Sequence, residues 1–154
     1  MNQNGELVYG KERTGDAAQS IHSNIYKSRP DINAVAHAHP MYGKTFSTLN
    51  KELKPITQDS CAFYKRTVTF TDYDGVANGP DEGINIAKAL ADKDFLILQN
   101  HGILTTGSMV ETTLWYFLNM EEACKSQLLA EAVGEPIVIP CLLYTSPSPR
   151  DVIQ

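Results

Sequence analysis

Short apolar runs alternate along this chain with segments in which apolar residues recur every three or four positions. The short runs predict β-strands, which we place within 4–10 and at 32–39, 67–71, 95–99 and 103–106. The recurring pattern predicts α-helices, which we place at 16–27, 40–49, 80–91 and 108–132. Because strands alternate with helices, the chain is predicted to be an α/β domain with a central β-sheet flanked by helices.

Particular residues set the predicted helix boundaries. Asp16 is predicted to cap the first helix, and the residue before Pro30 to end it, since proline pushes its predecessor out of helical geometry. Pro40 is predicted to open the second helix. Most of the apolar surface of the last helix is assigned to Trp115, Leu118, Ala123, Leu128 and Leu129.

Composition narrows the class of protein. The chain has 154 residues, of which 42% are hydrophobic and 20% charged, as is typical of one compact domain with a core. A net charge of −5 without a basic cluster argues against nucleic-acid binding. No apolar run is long enough to cross a bilayer, and the three cysteines lack the spacing of a metal site or a disulfide framework. A cytoplasmic protein is therefore predicted, with neither membrane nor nucleic acid as a partner.

The end of the chain differs in character from the rest. Residues 1–140 make up the predicted domain. The segment 141–154 has neither helical nor strand periodicity, and its Ser-Pro-Ser-Pro centre is typical of a disordered segment. We expect 141–154, which includes Cys141, to be a disordered or non-native tail without function.

Candidate chemistry is concentrated in three histidines that end apolar runs. His37 and His39 close the run that begins at Ile32, and His101 follows the run 95–98. Alternate residues of a strand point to one face, so His37 and His39 are predicted to project two imidazoles side by side. A third imidazole from another strand end would complete three nitrogen ligands and leave a coordination position open, as catalytic metal sites require. The alternative is three unrelated histidines, one or two of them satisfied inside a core.

Four phrases in fixed order resemble the class II aldolase and adducin N-terminal domain family. They are Ile-His-Ser-Asn-Ile-Tyr at 21–26, Arg-Pro-Asp-Ile-Asn-Ala-Val at 29–35, His-Ala-His-Pro at 37–40 and Leu-Gln-Asn-His-Gly at 98–102. The resemblance covers roughly residues 5–140 and implies an α/β/α domain, commonly in a ring-shaped homotetramer. It also implies that His37, His39 and His101 hold a divalent metal, zinc first and Fe(II) second. That metal would polarise the oxygens of a small carbonyl, hydroxy-acid or sugar-phosphate substrate.

Two features depart from the aldolases of this family. Those enzymes carry a glutamate base four residues before the helix histidine, which is His22 here, and this chain has Ala18 at that position. An alanine methyl neither accepts a proton nor binds a metal, and Asp16 is turned about 200° away along a helix. The upstream phosphate-binding loop of the family has no counterpart before residue 5, so we expect an N-terminally truncated domain. Ordinary aldolase activity is accordingly expected to be weakened.

Three functions are compatible with these residues. The first is a metal-dependent, aldolase-like lyase. The second is a non-haem iron oxygenase or decarboxylase on the same three histidines, which the missing carboxylate favours. The third is a non-catalytic, adducin-like domain that binds the actin cytoskeleton. The segment 57–64 resembles the branch of the family that lacks the glutamate, which includes adducin heads and aldolase-like proteins.

Several further residues are weaker candidates. Tyr64 is a catalytic candidate that could protonate a leaving group or bind substrate, and the simpler alternative is a half-buried core tyrosine. Asp59 could orient a metal-bound histidine, and Gln58 beside it is a similar candidate. Asn100 is expected to shape the turn that aims His101.

Other polar residues are assigned structural roles. His22 is expected to be a structural residue of the first helix. Glu121 and Glu122 are expected to form a solvated helix face, and Cys61 and Cys124 to be small buried residues.

Overall fold

The computed structural model describes residues 2, 6–11, 15–72 and 80–140. The helices of this part of the chain are α1 (Asp16–Ser28), α2 (Met41–Ser47), α3 (Pro80–Leu90) and α4 (Val110–Val133). Its strands are β1 (Ala34–Ala38), β2 (Thr67–Phe70), β3 (Phe95–Leu98) and β4 (Gly102–Gly107), and a 3-10 helix lies at Asp59–Phe63. The predicted order of helices and strands after residue 15 is confirmed.

The strands form a mixed sheet in the order β1-β4-β3-β2. β3 and β4 are antiparallel neighbours joined by a tight turn, and β1 pairs antiparallel with β4, which places His37 opposite Leu104. β2 pairs parallel with β3. Every residue of β3 is buried, because helices cover both faces of the sheet. Double-sided burial explains why this strand is a continuous apolar run instead of an alternating one.

Alternate side chains of the central strands enter two separate cores, one on each face of the sheet. Leu96 and Leu104 pack with α1 and α3 on one face. Ile97 and Ile103 pack with α2, α4 and the 3-10 helix on the other. Each such side chain contributes about 1.5–3 kcal/mol relative to an exposed position. The predicted three-layer α/β/α fold is therefore confirmed.

Some predicted details outside the sheet are wrong. α1 begins after Gly15 without a side-chain cap, and Asp16 lies in the first turn, where its charge is favourable to the helix dipole. The described residues 6–11 form no strand, because Val8 and Tyr9 are exposed and no neighbouring strand covers them. Residues 4 and 5 lie outside the described part. α2 ends at Ser47, so it does not include residue 49.

The predicted apolar face of α4 is also largely wrong. Leu118 and Leu129 are both 57% exposed, and Trp115 is exposed as well. The buried residues of this helix are Thr113, Met120, Ala123, Cys124 and Gln127, so only Ala123 of the predicted set is fully buried. Apolar residues occur on all sides of α4, and periodicity therefore does not identify the face that packs against the sheet.

None of the helices in the described part combines the length and the apolar composition that crossing a bilayer requires. The predicted tail at 141–154, with Cys141, lies outside the described residues, so its boundary stays a prediction.

Candidate metal centre

The three predicted histidines come together at one end of the sheet. His37 lies in β1 and His39 directly follows that strand, so their side chains share a face. His101 lies in the turn between β3 and β4. One ring nitrogen from each histidine lies within 4.8 Å of the other two. The ring centroids are 4.5–5.2 Å apart. The three histidines therefore lie together, as predicted, and their role as metal ligands stays a prediction.

The turn that carries His101 is held by backbone contacts. Asn100 has a φ of +57°, a left-handed conformation that asparagine tolerates better than most residues. Its N–H donates to the Ser47 carbonyl at 3.0 Å, and the N–H of Gln99 donates to the Phe70 carbonyl at 2.9 Å. The predicted role of Asn100 in shaping this turn agrees with its conformation. The turn is thereby attached to α2 and to β2.

Gly102 allows β1 and β4 to approach closely beside the histidines. A Cβ atom at this position would lie 2.5 Å from the carbonyl oxygen of Ala38 and 3.0 Å from Cδ2 of His39. The first separation is too short for a real Cβ atom, and the second would require the His39 ring to move by a few tenths of an ångström. Only glycine allows the two strands to pair at this point with the His39 ring in its observed place.

A backbone carbonyl orients the imidazole of His37. Its Nδ1 lies 2.9 Å from the carbonyl oxygen of Ile103. A carbonyl oxygen only accepts hydrogen bonds, so Nδ1 carries the proton and donates it. The lone pair of this imidazole is then on Nε2, which is the arrangement typical of a metal ligand with an outer hydrogen-bond partner.

The protonation of the histidines suits a metal site. Burial is the main reason that the pKa of His37 is lowered to about 4. The hydrogen bond to the Ile103 carbonyl raises this pKa, and the neighbouring His101 and His39 lower it further. Burial also lowers the pKa of His101, with His39 adding to the effect. His37 and His101 are therefore neutral at pH 7, and a neutral imidazole is the form that binds metals.

The donor set fits a divalent transition metal. Two imidazole nitrogens bound at about 2.0–2.1 Å lie at most about 4.2 Å apart, so small ring movements would close this group on one ion. Imidazole nitrogen suits zinc and iron better than it suits magnesium or calcium. Among the described residues the group contains only His37, His39 and His101, and three protein ligands leave a position open for water or substrate.

The other predicted site residues lie outside this group. Ala18 is exposed on α1, one turn before His22. His22 is partly buried against Tyr26, with ring centroids 6.5 Å apart, and burial lowers its pKa. Tyr64 follows the 3-10 helix and is partly buried, with the ammonium of Lys65 5.4 Å from its ring centroid. Catalytic roles of Tyr64 stay predictions.

Asp59 is exposed at the start of the 3-10 helix, and Gln58 beside it is also exposed. The contact that orients His37 comes from the Ile103 carbonyl, a backbone group that no sequence pattern identifies. The proposed role of Asp59 in orienting another histidine stays a prediction.

Sequence reasoning missed Glu121, which is not part of a solvated face. Its carboxylate accepts hydrogen bonds from the backbone N–H groups of Tyr42 at 2.8 Å and Gly43 at 2.6 Å. The sequence held one indication of this contact. Pro40 at the start of α2 offers no side-chain acceptor for the first helical N–H groups, so their partner must come from elsewhere. Glu122, the neighbouring residue, is exposed as predicted.

The two described cysteines differ in how deeply they are buried. Cys124 is buried, as predicted, and burial together with the nearby Glu121 carboxylate raises the pKa of its thiol to about 12. Cys61 is only partly buried, which corrects the prediction for that residue, and its Sγ lies 3.4 Å from the Thr57 carbonyl oxygen. The Cys124 thiol therefore stays protonated at neutral pH.

Comparison with known proteins identifies the family of the domain. The family described as Class II Aldolase and Adducin N-terminal domain has a sequence model that matches residues 1–128. A protein named Decarboxylase NovR, from Streptomyces niveus, is 40% identical over 135 residues, which are 88% of this chain and 50% of that protein. A second Streptomyces relative, from Streptomyces roseochromogenus subsp. oscitans, is named 4-hydroxy-3-prenylphenylpyruvate oxygenase/4-hydroxy-3-prenylbenzoate synthase. It is 41% identical over 134 residues, 86% of this chain and 48% of that protein.

A solved structure with a similar fold and sequence also belongs to an aldolase. The L-fuculose 1-phosphate aldolase from Glaciozyma antarctica PI12 superposes with a TM-score of 0.79 and is 40% identical. The match covers 90% of this chain and 54% of that one. The chain thus spans about half the length of the relatives it matches.

Proposed function

This chain belongs to the class II aldolase and adducin N-terminal domain family, and on that premise we propose that it is a divalent-metal-dependent, aldolase-like lyase. Its substrate is a small carbonyl, hydroxy-acid or sugar-phosphate compound. The observation that carries the proposal is the group of three imidazole nitrogens within 4.8 Å of one another. Membership of a family that includes a solved fuculose-phosphate aldolase of the same fold supports it.

In this proposal each residue of the site has a defined task. His37, His39 and His101 hold the ion, with zinc as the first choice and Fe(II) as the second. When bound, the ion supplies Lewis-acid polarisation of a substrate oxygen. The Ile103 carbonyl keeps Nδ1 of His37 protonated and so leaves the other ring nitrogen available. Ala18 has no group that moves a proton, so this task falls to another residue, for which Tyr64 is our candidate.

Metal titration of matched histidine variants tests the metal-binding step. We expect the unaltered chain to bind one equivalent of Zn²⁺ and the variants His37→Ala, His39→Ala and His101→Ala each to lose it. His22→Ala is the matched control, because His22 lies outside the group of three and should leave the stoichiometry unchanged. Less than about a tenth of an equivalent in the unaltered chain, after reconstitution, would contradict the proposal.

Carbon–carbon bond cleavage is the activity test. We expect zinc-loaded protein to release an aldehyde or ketone from at least one member of a panel of hydroxy-acid and sugar-phosphate substrates. Tyr64→Phe should lower the turnover and leave Zn²⁺ binding unchanged, since it removes only the hydroxyl. Proton-transfer groups contribute about a hundredfold to ten-thousandfold in rate. Equal turnover in both proteins would remove Tyr64 from the mechanism.

A second candidate is a non-haem iron oxygenase or decarboxylase on the same three histidines. Two observations favour it: the exposed alanine at the position of the family's glutamate, and the decarboxylase and oxygenase names of the two Streptomyces relatives. We expect Fe(II)-loaded protein to take up oxygen in the presence of an aromatic hydroxy acid if this candidate is right. Oxygen uptake without aldol cleavage would favour the oxygenase and contradict the lyase proposal. Aldol cleavage without oxygen uptake would support the lyase proposal.

The remaining expectations concern partners and location. A homotetramer and binding to the actin cytoskeleton follow from the family resemblance, and a cytoplasmic location follows from the composition of the chain. All three stay proposals. Co-sedimentation with actin filaments at micromolar protein tests the adducin-like function. A metal-independent pellet would favour a binding domain over an enzyme.

A further inference from the structure

We propose that Glu121 is a positioning residue of the metal site, acting through the N-terminus of α2 on His39. The inference rests on the metal-binding function proposed above and adds a residue to it. α2 begins at Met41, directly after Pro40, which itself directly follows His39. The position of the first turn of α2 therefore limits where the His39 imidazole can lie.

The contact is a helix cap that comes from another helix. Tyr42 and Gly43 belong to the first turn of α2, where backbone N–H groups have no partner within the helix. The Glu121 carboxylate accepts both N–H groups, one with each oxygen, at 2.8 and 2.6 Å. Pro40 forms no side-chain cap. A carboxylate is the most favourable acceptor here, because its charge complements the positive end of the helix dipole.

Glycine at position 43 leaves room for the carboxylate, which a side chain there would crowd. A Cβ atom there would lie 3.1 Å from Oε2 of Glu121 and 2.9 Å from Cγ2 of Ile103. Ile103 is also the residue whose carbonyl oxygen lies 2.9 Å from Nδ1 of His37. The first turn of α2 thus contacts the carboxylate of Glu121 and the residue that orients His37.

His39 is confined from the opposite direction by β4. A Cβ atom at Gly102 would lie 3.0 Å from Cδ2 of the His39 ring and 2.5 Å from the Ala38 carbonyl oxygen. β4 therefore fixes the strand end before His39, and the capped turn of α2 fixes the chain after it. Removing the Glu121 carboxylate releases the restraint from α2 and leaves the restraint from β4 unchanged.

A purely structural role of Glu121 and a positioning role predict different results for its substitution. If Glu121 only joined α4 to α2, its loss would lower the melting temperature and leave the metal site as it was. If it positions His39, its loss also changes metal affinity and the environment of the His39 ring. The experiment must therefore measure the site and not only stability.

The first measurement compares Glu121→Gln with the matched control Glu122→Gln in the full chain. Glutamine keeps the shape but presents an N–H donor to one of the two backbone N–H groups. We expect Glu121→Gln to weaken Zn²⁺ binding about 10–100-fold, the range for residues that orient metal ligands, and to change the visible absorption of the Co²⁺ complex. Glu122 is exposed, so its variant should match the unaltered chain in both readouts. Unchanged affinity and spectrum in Glu121→Gln, even with a lower melting temperature, would overturn the proposal.

The second measurement needs no metal and so separates this proposal from the proposed function. Nuclear magnetic resonance of the histidine rings in metal-free protein should show the His39 resonances displaced in Glu121→Gln and those of His22 unmoved. Unmoved His39 resonances would overturn the positioning role. If the unaltered chain binds no Zn²⁺, the lyase proposal fails, and the displacement of the His39 resonances still decides the role of Glu121. Should Glu121→Gln not fold, Gly43→Ala disturbs the same contact from the other side, with the same expected displacement.

Discussion

Residues without any metal-binding side chain determine where the imidazoles lie. Gly102 lets β1 approach β4 beside the His39 ring, and Asn100 adopts the left-handed conformation of the turn that presents His101. The Ile103 carbonyl fixes the tautomer of His37. The three histidines are thus held mainly by backbone geometry, and we expect small changes at these positions to alter the site.

Gly102→Ala tests this dependence on the backbone. The added methyl would lie 2.5 Å from the Ala38 carbonyl oxygen, so the β1–β4 pairing must shift. We expect a loss of about 1–3 kcal/mol in the free energy of unfolding, the usual cost of overpacking, together with weaker Zn²⁺ binding. Urea denaturation and metal titration measure the two effects. Gly134→Ala is the control, because a Cβ at 134 has no neighbour within 4 Å; equal effects of the two variants would contradict this account.

Burial of His37 predicts a pH dependence for metal-free protein. Its pKa is about 4 in the folded state and 6.5 in a solvated reference, so between these values the unfolded chain binds a proton that the folded chain does not. The free energy of unfolding should therefore fall as the pH is lowered from 6.5 towards 4. Burial of His22 acts in the same direction. Urea denaturation of chelator-treated protein measures this slope. His37→Gln should flatten it, whereas identical slopes would show that His37 does not contribute.

The meeting of the three histidines could be predicted from the sequence, but the residues that hold them in place could not. The histidines could be predicted because strand alternation places His37 and His39 on one face and both apolar runs end at the same edge of the sheet. The contacts of Ile103 and Glu121 could not, since one is a backbone carbonyl and the other joins residues nearly eighty positions apart.

Among the elements, the β3–β4 hairpin and α4 contribute most to holding the site. The hairpin lies in the interior of the sheet, with alternate side chains in both cores, and its turn carries His101. α4 supplies Glu121 to α2, and Gln127 to the loop that follows α2. The Gln127 amide accepts from the N–H of Lys54 at 2.8 Å and donates to the Glu52 carbonyl at 3.0 Å. One helix therefore fixes both ends of the segment that follows His39.

A pair of opposite substitutions tests the orientation of α4. Gln127→Leu removes two partly buried hydrogen bonds of a fully buried side chain, and each such bond contributes about 0.5–1.5 kcal/mol. Leu129→Gln places a polar side chain at a position that is 57% exposed, where changes stay within about 0.5 kcal/mol. Urea denaturation should therefore find the buried polar-to-apolar change much more destabilising than the exposed apolar-to-polar one. If Leu129→Gln were the more destabilising change, α4 would pack on the face that contains Leu129.

Periodicity predicted the helices and strands better than it predicted their faces. β3 could be assigned because a short continuous apolar run between turns is typical of a strand buried on both sides. The packed face of α4 could not, because the buried side includes Thr113 and Gln127 while Leu118 and Leu129 are exposed. Both polar side chains have backbone partners: the Thr113 hydroxyl donates to the Met109 carbonyl, and the Gln127 amide bonds to the backbone of residues 52 and 54.

For the molecule as a whole, the candidate metal site joins parts of the chain that are distant in sequence. The end of β1 and the β3–β4 turn each supply histidines, and more than sixty residues separate His39 from His101. The α/β order and the resemblance were sufficient to predict the layered fold and this meeting of histidines. The chain spans about half the length of the relatives it matches, so the substrate of the whole protein stays a proposal.

Because the ligands come from separate elements, metal binding should stabilise the folded chain. An ion that binds only the folded state at a hundred times its Kd adds about 2.7 kcal/mol to the free energy of unfolding. We expect Zn²⁺ to raise the melting temperature of the unaltered chain, a chelator to reverse the shift, and Mg²⁺ to have no effect, since the donors are nitrogen. His101→Ala should lose the shift and His22→Ala keep it. An equal zinc shift in both variants would place the ion elsewhere.

X-ray absorption at the zinc edge tests the central claim most directly, because it counts the atoms bound to the ion. The account predicts three imidazole nitrogens and a light-atom ligand at about 2.0–2.1 Å. Sulfur at about 2.3 Å, or oxygen ligands without imidazole scattering, would contradict it.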